Sequence, residues 1–202
     1  DSIMKLLAVA LERDLARRGI TNAVSFTSIG SGLARLDLLD WHAKLKSLTE
    51  SAQPAVAVIL LGSNDNQPMK VPNRPAIVQN TQDWKDEYTR RVAACLGTLR
   101  QGGVRQVFWL GLPDMREPAL QQHADLVNQI FRGQLLDDPR GVFIDTQALL
   151  SREAGQYSSY ILGPDGMPIH VRAADGIHLS RPGAELLARD LGARIEQSLA
   201  RG

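Results

Sequence analysis

A carboxylate and an imidazole lie three residues apart near the C-terminus, in the run Ala174-Asp175-Gly176-Ile177-His178-Leu179-Ser180. We expect them on a glycine-containing turn that leads into a helix, because Ser180 can cap a helix that has Pro182 in its first turn. An imidazole beside a carboxylate can serve as a general base. Such a base also needs a nucleophile to activate, and the reaction needs hydrogen-bond donors for the negative charge that develops on the substrate oxygen.

Two distant stretches supply those missing parts. Asp1-Ser2 opens a helical pattern, where unpaired backbone N–H groups and the helix dipole favour negative charge. Gly62-Ser63-Asn64-Asp65 follows a continuous apolar run and offers a side-chain amide. A serine hydroxyl is a poor nucleophile at neutral pH and needs a base within hydrogen-bond reach. These residue types therefore suit nucleophilic attack by a serine.

Each of these residues also has a purely structural interpretation. Ser2 can be a plain helix cap, and Asn64-Asp65 can be turn formers after a strand. Asp175 and His178 can be loop residues in front of the last helix. Taken singly, the structural interpretation is favoured for each residue. Taken together, they favour catalysis by the logic of a catalytic triad.

Other signatures of enzymes are incomplete. Gly30-Ser31-Gly32 begins like a dinucleotide fingerprint, but Arg35 occupies the position of its third glycine. Residues 2–5 match the Ser-x-x-Lys of penicillin-binding enzymes, but no Lys-Thr-Gly follows. The sequence holds no Gly-x-Ser-x-Gly elbow, Walker loop or His-Glu-x-x-His. The commonest hydrolase, nucleotide and zinc hypotheses are thereby removed.

Composition excludes several classes of protein. With 23 basic and 22 acidic residues interspersed along 202 positions, the sequence lacks the basic block of a nucleic-acid-binding protein. No apolar run approaches the length of a membrane span. The single cysteine, Cys95, excludes an internal disulfide and a multi-cysteine metal site. We expect Cys95 to be a small buried hydrophobic residue.

Apolar runs alternate with helical patterns along the chain. Helices are predicted at residues 3–18, 41–48, 84–100, 120–136 and 180–199, and strands at residues 23–27, 55–61, 104–112 and 141–145, with a hairpin at 160–162 and 167–171. The run at 55–61 is typical of a strand buried on both faces. This alternation predicts an α/β fold, with a parallel sheet covered on both faces by helices. The loops at the carboxyl ends of its strands are expected to build the site.

The position of Asp1-Ser2 predicts what precedes it in the natural protein. The other candidate loops follow predicted strands, so we expect a strand before Asp1 in the natural protein. The sparse use of cysteine fits both the cytoplasm and the bacterial periplasm, and a signal peptide can have been removed.

Four blocks in chain order resemble the SGNH hydrolases, also called the GDSL esterase/lipase superfamily. They are Asp1-Ser2, the Gly30/Gly32 loop, Gly62-Ser63-Asn64-Asp65 and Asp175-Gly176-Ile177-His178. Three further runs resemble a bacterial, often periplasmic, SGNH branch known as a domain of unknown function (DUF459-like). These are Gly32-Leu33-Ala34-Arg35, Asp40-Trp41 and residues 109–116; with the run from Asp175 to Leu179, the resemblance covers nearly the whole chain.

The resemblance implies a fold and a set of site residues. The fold is a three-layer α/β/α flavodoxin-like SGNH fold with a central parallel sheet, formed by one domain over residues 1–202. Ser2 is then the nucleophile, His178 the base, and Asp175 the residue that orients the imidazole. The oxyanion donors are the Ser2 N–H, a loop-glycine N–H and the Asn64 amide. Gly32 is preferred to Gly30 because its Gly-Leu-x-Arg context matches the branch. No metal or organic cofactor is required.

The expected function is that of a serine esterase acting through an acyl-enzyme. The branch suggests removal of O-acetyl or other O-acyl groups from a cell-envelope carbohydrate, in the periplasm rather than the cytoplasm; lipid esters and thioesters are alternatives. The expected partner is thus a small ester or an acylated glycan, with no nucleic acid and no integral membrane segment. O-Acyl transfer to a glycan is an alternative with the same triad. A non-catalytic glycan-binding module is the alternative from another class.

The remaining histidines and the tryptophans have simpler interpretations. No ligand-spaced partner accompanies the other three histidines, which are expected on the surface or in hydrogen bonds: His42, His123 and His170. The three tryptophans are expected mostly in the core, with sugar stacking as the alternative for one of them: Trp41, Trp84 and Trp109.

Overall fold

Three short apolar segments pair in parallel, because a helical crossover carries the chain back across the sheet after each of the first two. A computed structural model describes residues 1–136, 138–153 and 155–201. The sheet has the order β1 (Val56–Ile59), β2 (Gln106–Leu110) and β3 (Gly141–Ile144). Its register aligns Val58 with Phe108, and Phe108 with Val142.

Six helices surround the sheet within the described ranges. They are α1 (Met4–Arg17), α2 (Trp41–Ala52), α3 (Gln82–Gln101), α4 (Pro118–Leu136), α5 (Thr146–Leu150) and α6 (Arg181–Ala200). A small antiparallel hairpin of β4 (Tyr160–Leu162) and β5 (Pro168–His170) precedes α6. Ser180 caps α6 as predicted, since its hydroxyl accepts a hydrogen bond from the Gly183 N–H at 3.1 Å.

Successive residues of β2 face opposite layers of helices. The ring of Trp109 packs 5.1 Å from that of Phe131 in α4. Phe108 faces the other way and lines a surface cavity with Arg194 and Ser198 of α6. The helices form two groups accordingly, α1 with α6 and α2 with α3 and α4. The predicted three-layer α/β/α fold with a central parallel sheet is confirmed.

Most predicted elements lie within two residues of the observed ones. The helix predicted at 41–48 is longer and continues to Ala52, where Gln53 ends it with a left-handed φ of 44°. Helix α5 was not predicted, because its five residues are too few for a helical period to show. The three tryptophans and Cys95 are buried, as expected.

The strand predicted at residues 23–27 is wrong. Residues 20–28 have no regular secondary structure, and the Val24 side chain is 70% exposed. Apolar content alone does not make a strand, because backbone groups need a neighbouring strand for their hydrogen bonds. The run at 55–61 is also shorter and less buried than predicted, since only Val56–Ile59 is a strand and residues 56–58 are partly exposed.

The partly exposed residues of β1 and residues 23–26 line the same apolar groove. Within the described residues, β1 pairs only with β2, and its other edge faces a groove of about 390 Å³. Its lining includes Met4, Leu11, Val24, Phe26, Leu45 and Val58. The strand expected upstream of Asp1 stays a prediction. The single domain over 1–202, of which Asp137, Ala154 and Gly202 lie outside the described residues, also stays a prediction.

Candidate active site

The turn before α1 places Ser2 at the carboxyl end of the sheet. The Asp1 backbone nitrogen donates a hydrogen bond to the Leu60 carbonyl oxygen, just beyond β1, at 3.1 Å. The buried Asp1 carboxylate accepts from the Ile3 N–H at 3.0 Å, and from the Ser63 N–H and hydroxyl at 3.2 and 2.8 Å. Asp1 therefore ties the serine-bearing turn to the loop after β1.

The structure brings the three predicted catalytic side chains together. His178 Nε2 lies 2.9 Å from Ser2 Oγ, although the two residues are at opposite ends of the chain. His178 Nδ1 lies 2.7 Å from Asp175 Oδ2. An ionised carboxylate only accepts hydrogen bonds, so the Nδ1 atom carries the proton in the neutral ring. Nε2 is then free to accept the serine proton.

The Asp175 carboxylate is held in its ionised form. Partial burial raises its pKa, but the backbone N–H groups of His178 and Ile177 and the His178 ring outweigh that effect and hold the pKa at about 2. The two N–H groups donate to Asp175 Oδ1 at 2.9 and 2.8 Å. Asp175 is therefore a fixed negative charge for the imidazole at neutral pH.

The predicted oxyanion donors lie on two neighbouring loops. The Asn64 amide nitrogen donates to the Ser31 carbonyl oxygen at 3.0 Å and lies 3.4 Å from Ser63 Oγ. Across residues 1–136, 138–153 and 155–201, the N–H groups of Ser2 and Gly32 donate no hydrogen bond within the protein. These two donors are thus unengaged, and their role towards an oxyanion stays a prediction.

Asp65 holds the Gly32 loop in place, a role that was not predicted from the sequence. Its carboxylate is fully buried and accepts from the N–H groups of Leu33 at 2.9 Å and Ala34 at 2.7 Å, and from the Tyr88 hydroxyl at 2.8 Å. Burial raises the pKa of Asp65, against the effect of these donors. The available signal was its place directly after Asn64 in the Gly-x-Asn-Asp block.

The two alternative glycines differ in their surroundings. A Cβ atom at Gly32 would lie 2.1 Å from Asp65 Oδ1, so the loop approaches the carboxylate at a distance that only glycine allows. Gly30 has a φ of +72° and no atom within 4 Å of such a Cβ. Gly30 therefore serves the turn, whereas Gly32 serves the close approach to Asp65.

A buried arginine supports the same loop from α3. Arg91 donates to the carbonyl oxygens of Leu33 at 2.5 Å and Ala34 at 3.2 Å. Glu87 pairs with Arg91 at 2.7 Å. A hydrogen bond from Arg90, followed by one from Arg91, holds the pKa of Glu87 at about 2 against partial burial. Glu87 thus neutralises the buried Arg91 side chain, which in turn holds the Gly32 loop by hydrogen bonds to its carbonyl oxygens.

The Glu87→Gln variant is expected to make unfolding less sensitive to acid. The depressed pKa of Glu87 means that its stabilisation is present above its ordinary pKa of 4.5 and is lost as the pH falls through about 2. The variant should be less stable than the wild type at neutral pH, and the difference should shrink on acidification. Urea unfolding at several pH values measures it. Glu50→Gln, whose pair with Lys46 is solvent-exposed, is the control and should show little change.

The other histidines lie outside the triad. His123 is buried, its Nε2 lies 2.9 Å from the Gly62 carbonyl oxygen, and burial lowers its pKa. His42 and His170 are exposed. The expectation of surface or hydrogen-bonded roles is confirmed for all three.

Comparison with known proteins supports the fold. A carbohydrate esterase family 3 structure from Talaromyces cellulolyticus superposes with a TM-score of 0.58 at 13% identity, covering 95% of this chain and 90% of that one. A Streptococcus pneumonia protein described as a candidate platelet activating factor superposes with a TM-score of 0.52 at 16% identity, covering 94% of each chain. At these identities the likeness concerns the fold.

The sequence comparisons place the chain in a family. No curated protein matches it significantly by sequence. Across the described residues, no helix is both long and apolar enough to cross a membrane. The family described as "Protein of unknown function (DUF459)" matches residues 1–194. The motifs predicted this family. Because the match spans nearly the entire sequence, this chain belongs to the DUF459 family.

Proposed function

We propose that the protein is a serine esterase that hydrolyses a carboxylic ester through an acyl-enzyme. The observation that carries this proposal is the unbroken chain of contacts from Ser2 Oγ through His178 to Asp175, at 2.9 and 2.7 Å. Both distances lie within the hydrogen-bond range that proton transfer requires. The Nδ1 proton faces Asp175, so Nε2 points its lone pair at the serine hydroxyl.

In the first half of the reaction, Ser2 Oγ attacks the ester carbonyl carbon while His178 Nε2 takes the hydroxyl proton. The imidazolium that forms is stabilised by the Asp175 carboxylate. When the tetrahedral intermediate collapses, the bond to the alcohol oxygen breaks and His178 returns the proton to that oxygen. The products of this half are a free alcohol and an acyl group on Ser2.

Hydrogen-bond donors of Ser2, Gly32 and Asn64 stabilise the oxyanion of the tetrahedral intermediate. The N–H groups of Ser2 and Gly32 have no internal acceptor in the described part of the chain, and Asn64 has an amide proton that is held only weakly, at 3.4 Å from Ser63 Oγ. Donors held in place before the reaction lower its barrier without reorganisation, and one such donor contributes about 3 kcal/mol. The contacts from Asp65 and Arg91 fix the glycine loop for this purpose.

In the second half, His178 removes a proton from water, which attacks the acyl carbon. The same oxyanion donors act again, and the proton passes to Ser2 Oγ as the acid product leaves. Deacylation therefore requires the same three side chains and regenerates the resting enzyme.

For the substrate, we propose an O-acetyl or short O-acyl group on a carbohydrate of the cell envelope. The solved structure with the higher TM-score is described as a carbohydrate esterase, and its fold matches over most of both chains. The site also lies open to solvent, because the side chains of His178 and Asp175 are 39% and 48% exposed. A bulky alcohol such as a glycan can remain outside while only its ester enters.

The Ser2→Ala variant is expected to lose labelling by a fluorophosphonate probe, because the probe forms a covalent adduct with an activated serine. Mass spectrometry of wild-type protein should locate the adduct on Ser2, and p-nitrophenyl acetate should be hydrolysed. Ser47→Ala, at an exposed site on α2, is the matched control and should label normally.

Three results would contradict the proposal. Labelling that survives Ser2→Ala would mean that another residue is the nucleophile. Wild-type protein that neither labels nor turns over the ester would favour the glycan-binding module. Transfer of acetyl to an added glycan in preference to water would identify an acyltransferase with the same triad.

A further inference from the structure

Hydrogen bonds to its backbone hold the turn that carries Asp175 and His178, in addition to the packing of Ile177 against the core. Both side chains are partly exposed, so neighbouring atoms restrain them only on some sides. The backbone carbonyl oxygens of residues 174–178 nevertheless all accept hydrogen bonds from two arginines, Arg116 and Arg172. Such saturation is unusual for an exposed turn, whose carbonyl groups ordinarily face water.

Arg116 holds the outer part of the turn. Its Nη1 donates to the Ala174 carbonyl oxygen and its Nη2 to that of Asp175, both at 2.9 Å. Its own backbone N–H donates to the Gly176 carbonyl oxygen at 3.3 Å. Gly176 has a φ of +78°, and a Cβ there would lie 2.7 Å from Arg116 Cβ. The arginine therefore lies flat against the turn at a position that only glycine permits.

Arg172 holds the inner part of the turn. Its side chain is among the largest that are fully buried, and its Nη2 donates to the Ile177 carbonyl oxygen at 2.7 Å. Nη2 and Nε also lie 3.5 Å from the Gly176 oxygen and 3.4 Å from the His178 oxygen. Its Nη1 donates to the Asp114 carbonyl oxygen, two residues before Arg116. Both arginines thus connect the turn to the loop that follows β2.

Backbone carbonyl oxygens, rather than carboxylates, accept the hydrogen bonds of both guanidinium groups. Neither guanidinium forms an ion pair with a carboxylate among the described residues. Their protons go instead to carbonyl oxygens of the turn and, from Arg172 Nη1, to that of Asp114, all of which bear partial negative charge. Arginine suits this task because its planar fork reaches two acceptors at once. A lysine offers one point charge and cannot hold two carbonyl oxygens in the same geometry.

We propose that Arg116 and Arg172 are positioning residues that set the geometry of Asp175 and His178 relative to Ser2. The proposal rests on the proposed function, since it assigns these arginines to the acid–base pair of the esterase. Rotation of the turn would change the 2.9 Å approach of His178 to Ser2 Oγ. A displacement of about 1 Å in such a pair lowers a rate by about 100-fold.

Arg116 is the residue to test, because it is exposed and its removal leaves the core intact. Arg116→Ala is expected to lower kcat for p-nitrophenyl acetate by about 10- to 100-fold with KM nearly unchanged. The rate of fluorophosphonate labelling should fall by the same factor, because both reactions use His178 as the base. Arg116→Lys should recover little of the loss, whereas added guanidinium ion should restore part of it to Arg116→Ala. Arg194→Ala on α6 is the control and should match the wild type.

Hydrogen exchange of the peptide spanning residues 173–179 provides a readout that is independent of activity. Exchange should be faster in Arg116→Ala than in the wild type, while exchange in α1 and α3 stays unchanged. Unaltered exchange in the turn would overturn the proposal, even if the wild-type protein proved to lack esterase activity.

The kinetic outcomes separate the alternatives. If the wild type labels and turns over but Arg116→Ala keeps full kcat, the positioning role is wrong and the esterase proposal stands. A rise in KM with unchanged kcat and labelling would mean that Arg116 contacts the substrate instead, which also overturns it. If the melting temperature of Arg116→Ala fell so far that unfolded protein accounted for the whole loss of kcat, Arg116 would have a role in stability alone, and the proposal would be overturned.

Discussion

The His178→Ala variant is expected to hydrolyse p-nitrophenyl acetate with a kcat about 10⁴- to 10⁶-fold below that of the wild type. Among the described residues, the His178 imidazole is the base that contacts Ser2 Oγ, and without it the hydroxyl is a poor nucleophile at neutral pH. The leaving alcohol also loses its proton donor. The fold should persist, because the His178 side chain is partly exposed and its backbone stays bonded to Asp175 and Arg172.

The double variant Ser2→Ala/His178→Ala distinguishes a catalytic unit from independent contributions. Residues of a triad act together, so the double variant should be no slower than either single variant. Asp175→Asn should lose less activity than His178→Ala, because Ser2 and the imidazole remain. Circular dichroism and melting temperature control for folding. A His178→Ala variant that kept more than about a tenth of wild-type kcat would show that His178 is not the base.

The parts of the site were predictable from sequence because each part follows a strand or precedes a helix. The carboxyl ends of parallel strands meet at one edge of a sheet, so the loop with Asn64 after β1 was expected at the same edge as the loop after β2. The same reasoning reaches the turn before α1 only through the strand predicted upstream of Asp1. The approach of His178 to Ser2 was expected from the logic of a catalytic triad and from the resemblance to a family, since no local pattern relates residues at opposite ends of the chain. The distances of 2.9 and 2.7 Å are consistent with that expectation.

The residues that support the site left weaker signals in the sequence. Asp65 and Arg91 act by bonding to backbone groups of the Gly32 loop, and Arg116 acts by bonding to the turn at 174–178. Contacts between a side chain and a distant backbone follow no sequence period, so composition and spacing cannot reveal them. The wrong strand at 23–27 has a related cause, because strand formation depends on a neighbouring strand.

The Gly32→Ala variant is expected to lower kcat by about 10²- to 10³-fold, the effect of misplacing one oxyanion donor. Its Cβ would lie 2.1 Å from Asp65 Oδ1, so the loop or the carboxylate must move. Asp65 is fully buried and bonded to the N–H groups of Leu33 and Ala34, which leaves it little room. The Gly32 N–H should therefore shift away from Ser2. Overpacking of this kind lowers the free energy of unfolding by about 1–3 kcal/mol.

Gly30→Ala is the matched control, since it adds the same methyl group two residues earlier in the same loop. No atom lies within 4 Å of its Cβ, but the φ of +72° costs an L-residue about 1–2 kcal/mol. The two variants should thus lose similar stability and differ in kcat. Urea unfolding together with p-nitrophenyl acetate kinetics tests both expectations. If Gly30→Ala lost more activity than Gly32→Ala, the oxyanion donor would be Gly30. If neither lost activity, the loop would have no part in stabilising the oxyanion.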